Sequence, residues 1–249
     1  DIFSDSVTIN PLVADNGLLI NNDNLFTDTR TVRLEIQTDL APDCLIVTPD
    51  SDPGSNLEGL VSSDECDTNT QPFQQFIDWE LSEELGYKEV YVGLIKDGEL
   101  IDTVSDQIIL APIYANVFAA SPNPQGVYGV GDQLPDTRAL ESIQLAFNII
   151  NDGSLTWVAD TTEAENPVNI SYKWRSLTGG NDYLVNARTR LSQNINYQEY
   201  EYVMMDVVAP PVPGEYQLEI DLVHEGVLWF SDMGNDTLDF NVTVLENPD

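Results

Sequence analysis

The chain has 249 residues, 42% of them hydrophobic, and carries 9 basic against 43 acidic side chains for a formal charge of −34. That length suits one large or two ordinary domains with sizeable cores. The charge excludes nucleic acid and anionic lipid headgroups as partners, since both need Lys and Arg for neutralisation.

A surface this acidic draws cations. A solvated coat that keeps a secreted protein soluble, a saline habitat and specific Ca²⁺ binding all fit, and composition does not separate them. The acids are spread along the chain rather than gathered in a tail, and 4 Trp, 10 Tyr and 8 Phe argue for packed cores over disorder.

The opening DIFSDSVTIN contains a strand pattern near Val7–Asn10. With no strand before it in the sequence, it could complete a neighbour's sheet by strand addition. The first residue is Asp, and no charged n-region with an apolar h-region precedes it, so a removed leader or a trimmed chain is expected. Further strands are predicted at Leu18–Asn21, Thr31–Thr38, Cys44–Val47, Phe76–Leu81, Glu89–Lys96, Glu99–Val104 and Gln107–Leu110. In TVRLEIQT, Val32, Leu34 and Ile36 share one face. Asp97-Gly98 between two strand patterns predicts a hairpin. DWELSEELGY has helical composition around Ser82–Leu85, but for one turn at most before Gly86.

Cys44 and Cys66 flank an acidic loop region. In an oxidising compartment they are expected to form a disulfide; the cytosolic alternative is two buried thiols. Closing that loop contributes about 3 kcal/mol in the chain-entropy model. The same region offers a calcium candidate. TPDSDPGSNLEG supplies Asp50, Asp52, Asn56 and Glu58 around Gly54, and SSDECDTNT adds Asp64, Glu65 and Asp67. Ca²⁺ takes oxygens from alternate residues of a tight loop, yet the spacing is not that of an EF-hand. A plain solvated loop is the competing reading.

Ala111 to Gly126, uncharged and rich in Pro, Ala and Asn, is read as the junction, with residues 113–121 the linker between domains at 1–112 and 122–249. Beyond it, strands are predicted at Ala139–Ile150, Leu155–Val158, Val168–Ser176, Tyr183–Asn186, Tyr197–Val208, Glu215–His224, Val227–Phe230 and Thr237–Leu245. In NPVNISYKW, alternation sends Val168, Ile170, Tyr172 and Trp174 to the core and turns Asn169 outwards. In YQLEIDL, Tyr216, Leu218, Ile220 and Leu222 point one way, and Gln217, Glu219 and Asp221 the other. EYEYVMMDVV leaves its register open, because either face could be core.

Asn169, Asn235 and Asn241 each begin an N-glycosylation sequon, which favours a secreted or cell-surface glycoprotein. Asp232, Asn235 and Asp236 form a second, weaker calcium candidate. Trp79 and Trp174 share parity with apolar neighbours and read as core. Trp157 and Trp229 are less constrained and are the candidates for stacking on a glycan. The lone histidine, His224, has no nucleophile motif near it, and one His with two Cys cannot supply a tetrahedral zinc site. Carboxylate pairs suited to glycoside hydrolysis are inevitable among 43 acids, and no pair is singled out. An isopeptide cross-link is disfavoured, since Lys173 sits on the non-core face. No apolar run reaches the roughly 18 residues needed for a membrane span.

Many short strands without helical crossovers, in two units, predict an all-β chain of two tandem immunoglobulin-like antiparallel β-sandwiches. Two resemblances sharpen this. LLINNDNLFTDTRTVRLEIQTD with FIDWELSEELGYKEVYVGLIKDGELIDTVSDQIIL resembles an Ig-like surface repeat of bacterial and archaeal exported proteins. It spans about Ser6 to Ala111 and is carried by Asn21, Arg30, Trp79, Gly86, Lys88, Tyr91 and Asp106. The Cys44–Cys66 segment is more elaborate than that repeat. NIINDGSLTWVAD, NPVNISYKWRS and PGEYQLEIDLVHEGVLWFSDMGNDTLDFNVTV are similar to an Ig-like extracellular domain in the style of the four-tryptophan domains, over Asn123 to Leu245. Both resemblances imply a fold and an exported setting, not a reaction.

The expected function is a non-enzymatic structural or interaction protein of the cell surface or an extracellular assembly, polymerising into filaments through its N-terminal strand. Its partners would be other copies or other surface proteins, and Ca²⁺ its one candidate cofactor. The alternative is an accessory carbohydrate-binding pair of modules from a larger extracellular enzyme.

Overall fold

A computed structural model describes residues 16–48, 66, 70–160, 165–185 and 187–248. The chain divides into two compact units, Asp1–Ala111 and Pro112–Asp249. Among the described residues there is no α-helix, and no helix is long and apolar enough to cross a membrane.

Unit 1 contains β1 (Gly17–Ile20), β2 (Phe26–Thr27), β3 (Thr31–Gln37), β4 (Cys44–Thr48), β5 (Gln71–Pro72), β6 (Phe76–Glu80), β7 (Gly86–Lys96) and β8 (Glu99–Leu110). A three-stranded sheet in the order β1-β3-β6 faces a five-stranded one, β2-β8-β7-β4-β5. Their inner faces meet in one core containing Val32, Leu34 and Ile36 from the first sheet and Val90, Val92 and Leu94 from the second. Glu99–Val104 and Gln107–Leu110 are one strand, not two. Ser82–Leu85 carries no helix, and the N-terminal strand pattern at Val7–Asn10 lies outside the described residues.

Turn chemistry follows local sequence. Asp97 (φ 50°) and Gly98 (φ 75°) make the hairpin between β7 and β8, as positive φ at both central positions demands. Asn21, Asn22 and Asp23 all take positive φ after β1, a region Asn and Asp tolerate. Asn21 Oδ1 then accepts the Arg33 N–H at 2.8 Å, tying this turn to β3. The two cysteines are joined, with Cα atoms 5.7 Å apart.

Unit 2 contains β9 (Asn116–Ala119), β10 (Thr137–Arg138), β11 (Ser142–Asn151), β12 (Val168–Ser176), β13 (Tyr183–Leu184), β14 (Thr189–Arg190), β15 (Tyr200–Val208), β16 (Gly214–His224), β17 (Leu228–Trp229), a 3₁₀ turn at Phe230–Met233 and β18 (Leu238–Leu245). The sheet β15-β11-β9 packs on a larger one ordered β10-β18-β16-β12-β13, with β14 also on β12 and β17 on β16. The segment read as a linker is instead structured: β9 pairs with β11, and Phe118 meets Phe147 edge-on at 5.5 Å. An uncharged apolar stretch gains more as a sheet edge than as a spacer. Leu155–Val158 forms no strand; Trp157 makes a single bridge to Ile195.

Trp157, Trp174, Phe147 and Phe230 are fully buried. Tyr216, near the start of β16, donates its hydroxyl to Val212 O at 3.0 Å. This tyrosine corner is a hallmark of Ig-like sandwiches. Asn151 is a second clamp: its Nδ2 donates to Leu155 O (2.8 Å) and Ile195 O (2.9 Å), and its Oδ1 accepts Gly153 N–H (3.0 Å). A Cβ at Gly153 would lie 2.7 Å from the backbone of Ile113 and Ala115, so only glycine fits there.

Candidate functional site

The register of β12 against β16 sets the polar chemistry of unit 2. It places Ser171 opposite Asp221 and Lys173 opposite Glu219. Side chains alternate across a strand. Val168, Ile170, Tyr172 and Trp174 therefore enter the core, while Asn169, Ser171, Lys173 and Arg175 share the outer face with Glu219 and Asp221.

That outer face is largely roofed. Asn169 is 2% exposed, Ser171 0%, Glu219 4% and Asp221 2%. The expectation that Asn169 faces solvent is corrected here. Ala187, ahead of β14, lies over the face, and Ser171 Oγ donates to Ala187 O at 2.8 Å. From the other side, Ser231 of the 3₁₀ turn donates its hydroxyl to Asp221 Oδ2 at 2.6 Å. Alternation alone could not reveal either crossing.

Scarce cations hold this layer together. Lys173 Nζ lies 2.9 Å and an Arg175 guanidinium nitrogen 2.8 Å from the buried Glu219 carboxylate. Arg188 Nε donates to Glu225 Oε1 at 2.5 Å, and its Nη1 donates to Ser171 Oγ at 3.0 Å. Asn169 Nδ2 donates to the same Glu225 oxygen at 3.1 Å. Both polar members of the sequon thus bind the roof. Burial raises the Asp221 carboxyl above the usual carboxylate range, against the opposing pull of the Ser231 and Leu222 donors and Lys173.

Beside this layer lies a cleft of about 300 Å³ lined by Lys173, Leu184, Arg188, Trp229, Ser231 and Asp232, among others. The Arg188 guanidinium sits over the Trp229 ring, 5.3 Å from its centroid. Such a cation–π contact fixes the ring. Trp229 is half-buried and borders the cleft, whereas Trp157 is 0% exposed and edge-on to Phe230 at 5.6 Å. Trp157 is therefore removed as a glycan-stacking residue: it is core.

The other candidates separate clearly. Asp50, Asp52, Asn56, Glu58, Asp64, Glu65 and Asp67 lie outside the described residues. Among the described residues, no three His, Cys, Asp or Glu side chains gather into a metal-holding group. Asn235 does not join Asp232 and Asp236 in a ligand set; its Nδ2 donates to Tyr114 O (3.3 Å) and Phe230 O (3.1 Å), and its Oδ1 accepts Asn116 N–H (3.2 Å). A glycan at Asn235 would break these contacts. Asn241, on β18, is exposed. His224 Nδ1 meets the Tyr114 hydroxyl at 3.0 Å.

Sequence reading missed Ser171, Arg188, Glu219, Asp221 and Glu225 as a cluster. One signal was present: four of the nine basic residues, Lys173, Arg175, Arg188 and Arg190, fall within 18 positions of an otherwise acidic chain.

The chain is an all-β protein of two tandem Ig-like sandwiches. No protein-family model matches it and no curated protein matches it. Among solved structures, it is similar to the CARDB domain of the PF1109 protein from Pyrococcus furiosus, in complex with di-metal ions, at 11% identity and a TM-score of 0.29, covering 55% of this chain and 93% of that one. It is also similar to the FN1–FN3 domains of chicken CNTN1, at 12% identity and a TM-score of 0.31, covering 93% of this chain and 66% of that one. Escherichia coli α2-macroglobulin activated by porcine elastase matches at 10% identity and a TM-score of 0.32, over 94% of this chain and 22% of that one.

Proposed function

We propose that this chain is a non-enzymatic structural component of a cell surface or extracellular assembly, joined to further copies through its N-terminal strand. One observation carries the reading. The three-stranded sheet of unit 1 ends in β6, which has only β3 beside it among the described residues and keeps Ile77 and Trp79 half-buried. An incoming extended segment would gain ladder hydrogen bonds there and cover both side chains. DIFSDSVTIN has the alternation such a donor needs. Deleting Asp1–Asn10 is expected to abolish polymers seen by electron microscopy of the native material; polymers that survive the deletion refute the reading.

A second reading, an accessory carbohydrate-binding module, is favoured by the cleft beside Trp229. An indole edge next to Lys173, Ser231 and Asp232 offers a stacking surface with hydrogen-bonding groups. Glycan-array binding that disappears in Trp229→Ala would support it, and the absence of binding to any glycan would remove it.

A further inference from the structure

We infer that β15 is a self-association edge, through which two copies of the chain pair antiparallel about Val203. This contact is separate from the N-terminal strand and does not depend on it.

The strand is an open template. It pairs with β11 over nine consecutive positions with no register shift, and no strand borders its other side among the described residues. Natural edges are protected by charge, above all lysine, by inward-pointing charges, proline, bulges or brevity; YEYVMMDVV has no lysine or proline, no bulge and nine residues, and its one charge of inward parity, Glu201, is occupied by the Ser192 N–H. Its inward side chains Val203, Met205 and Val207 are buried, while Tyr200 (64%), Tyr202 (42%) and Met204 (45%) stand exposed.

Backbone alternation tells which groups are free. Ala209 N–H donates to Glu141 O at 2.8 Å, and Asn151 N–H donates to Glu199 O at 3.0 Å. Odd-numbered residues therefore bond to β11, and in an antiparallel ladder the even-numbered ones turn their groups to the open side. Val208 confirms the parity and closes one end. Its N–H donates to the Tyr172 hydroxyl at 3.0 Å, and its carbonyl accepts the Trp174 Nε1–H at 2.9 Å. What remains is Tyr200, Tyr202, Met204 and Asp206, a set symmetric about Val203.

That symmetry selects a second copy as the occupant. Two-fold pairing about Val203 sets Tyr200 opposite Asp206, Tyr202 opposite Met204, and Glu201 opposite Met205. No acid faces an acid, which matters in a chain of charge −34, because like charges directly opposite are destabilising. The phenol of Tyr200 can donate to the Asp206 carboxylate, and Met204 gives sulfur–aromatic contact with Tyr202. Glu201 is already held in its own unit by the Ser192 N–H, at 2.9 and 3.2 Å. The product is two three-stranded sheets joined into one of six strands.

Sedimentation of the full chain and of the chain lacking Asp1–Asn10 tests this. The shortened chain is expected to dimerise and the full chain to associate at least as far, both more tightly as NaCl rises from about 0.05 to 1 M, because screening relieves the repulsion between polyanions. The pair Tyr202→Glu with Met204→Glu places carboxylates opposite one another in this register and should weaken the dimer about tenfold or more. A chain carrying Tyr202→Lys and Met204→Lys should restore it by pairing with the Glu variant. Both positions are exposed, and unchanged melting temperatures would show that the variants fold. A monomer up to about 100 μM at every salt concentration, or a Glu variant that dimerises like the parent, overturns the inference.

Discussion

At the scale of single residues, Asp221 stands out because it is 2% exposed in a protein with acid to spare. Burial raises its folded pKa above the ordinary value of 3.8. The folded state then holds a proton that the unfolded state has released. The contribution of Asp221 to stability is highest below the unfolded value, falls as pH rises through the window up to the raised folded value, and stays lower above it. In Asp221→Asn, Oδ1 still accepts the Leu222 N–H and the Ser231 hydroxyl can turn to accept from the amide. The variant is expected to match or exceed the parent in thermal stability at neutral pH and to lose the downward slope across that acid window. A parallel pair of melting-temperature profiles against pH would contradict this account. Tyr216 and Asn151 act differently: they satisfy buried backbone groups in loops, where each bond contributes about 1 kcal/mol.

At the scale of elements, the sequence was most legible where one periodicity ruled. Val168–Ser176 was bounded correctly because apolar and polar residues alternate without a break, and Trp174 is in the core as its parity requires. The Asp97-Gly98 hairpin was legible because few other residue pairs take positive φ at both positions. Legibility ended where a second layer intervened. Asn169, Glu219 and Asp221 have the parity of solvent-facing residues, and it is Arg188 and Ser231, 19 and 62 positions after Asn169 in the sequence, that bury the face. β9 was missed because four residues among Pro and Ala carry no alternation worth the name. For Tyr200–Val208 both faces are apolar enough to be core, so only the packing of Val203, Met205 and Val207 settles the register.

At the scale of the whole molecule, 43 acids against 9 bases set the dominant long-range term. Same-sign charge opposes the compact state. Screening shortens its reach from about 30 Å at 0.01 M salt to about 3 Å at 1 M. The melting temperature is therefore expected to rise steadily over that range and to rise alike in NaCl and KCl. A flat response would mean that the surface charge has no measurable hold on folding.

The roofed outer face of unit 2 also imposes an order of events. An oligosaccharide can reach the Asn169 amide only while β12 still lies open, before Arg188 and Glu225 close over it. Sugar transfer at that tripeptide would have to outrun folding. A unit that folded first would escape it, and a glycan on Asn169 would displace the Asn169–Glu225 contact of the roof. Asn241, exposed on β18, is under no such deadline.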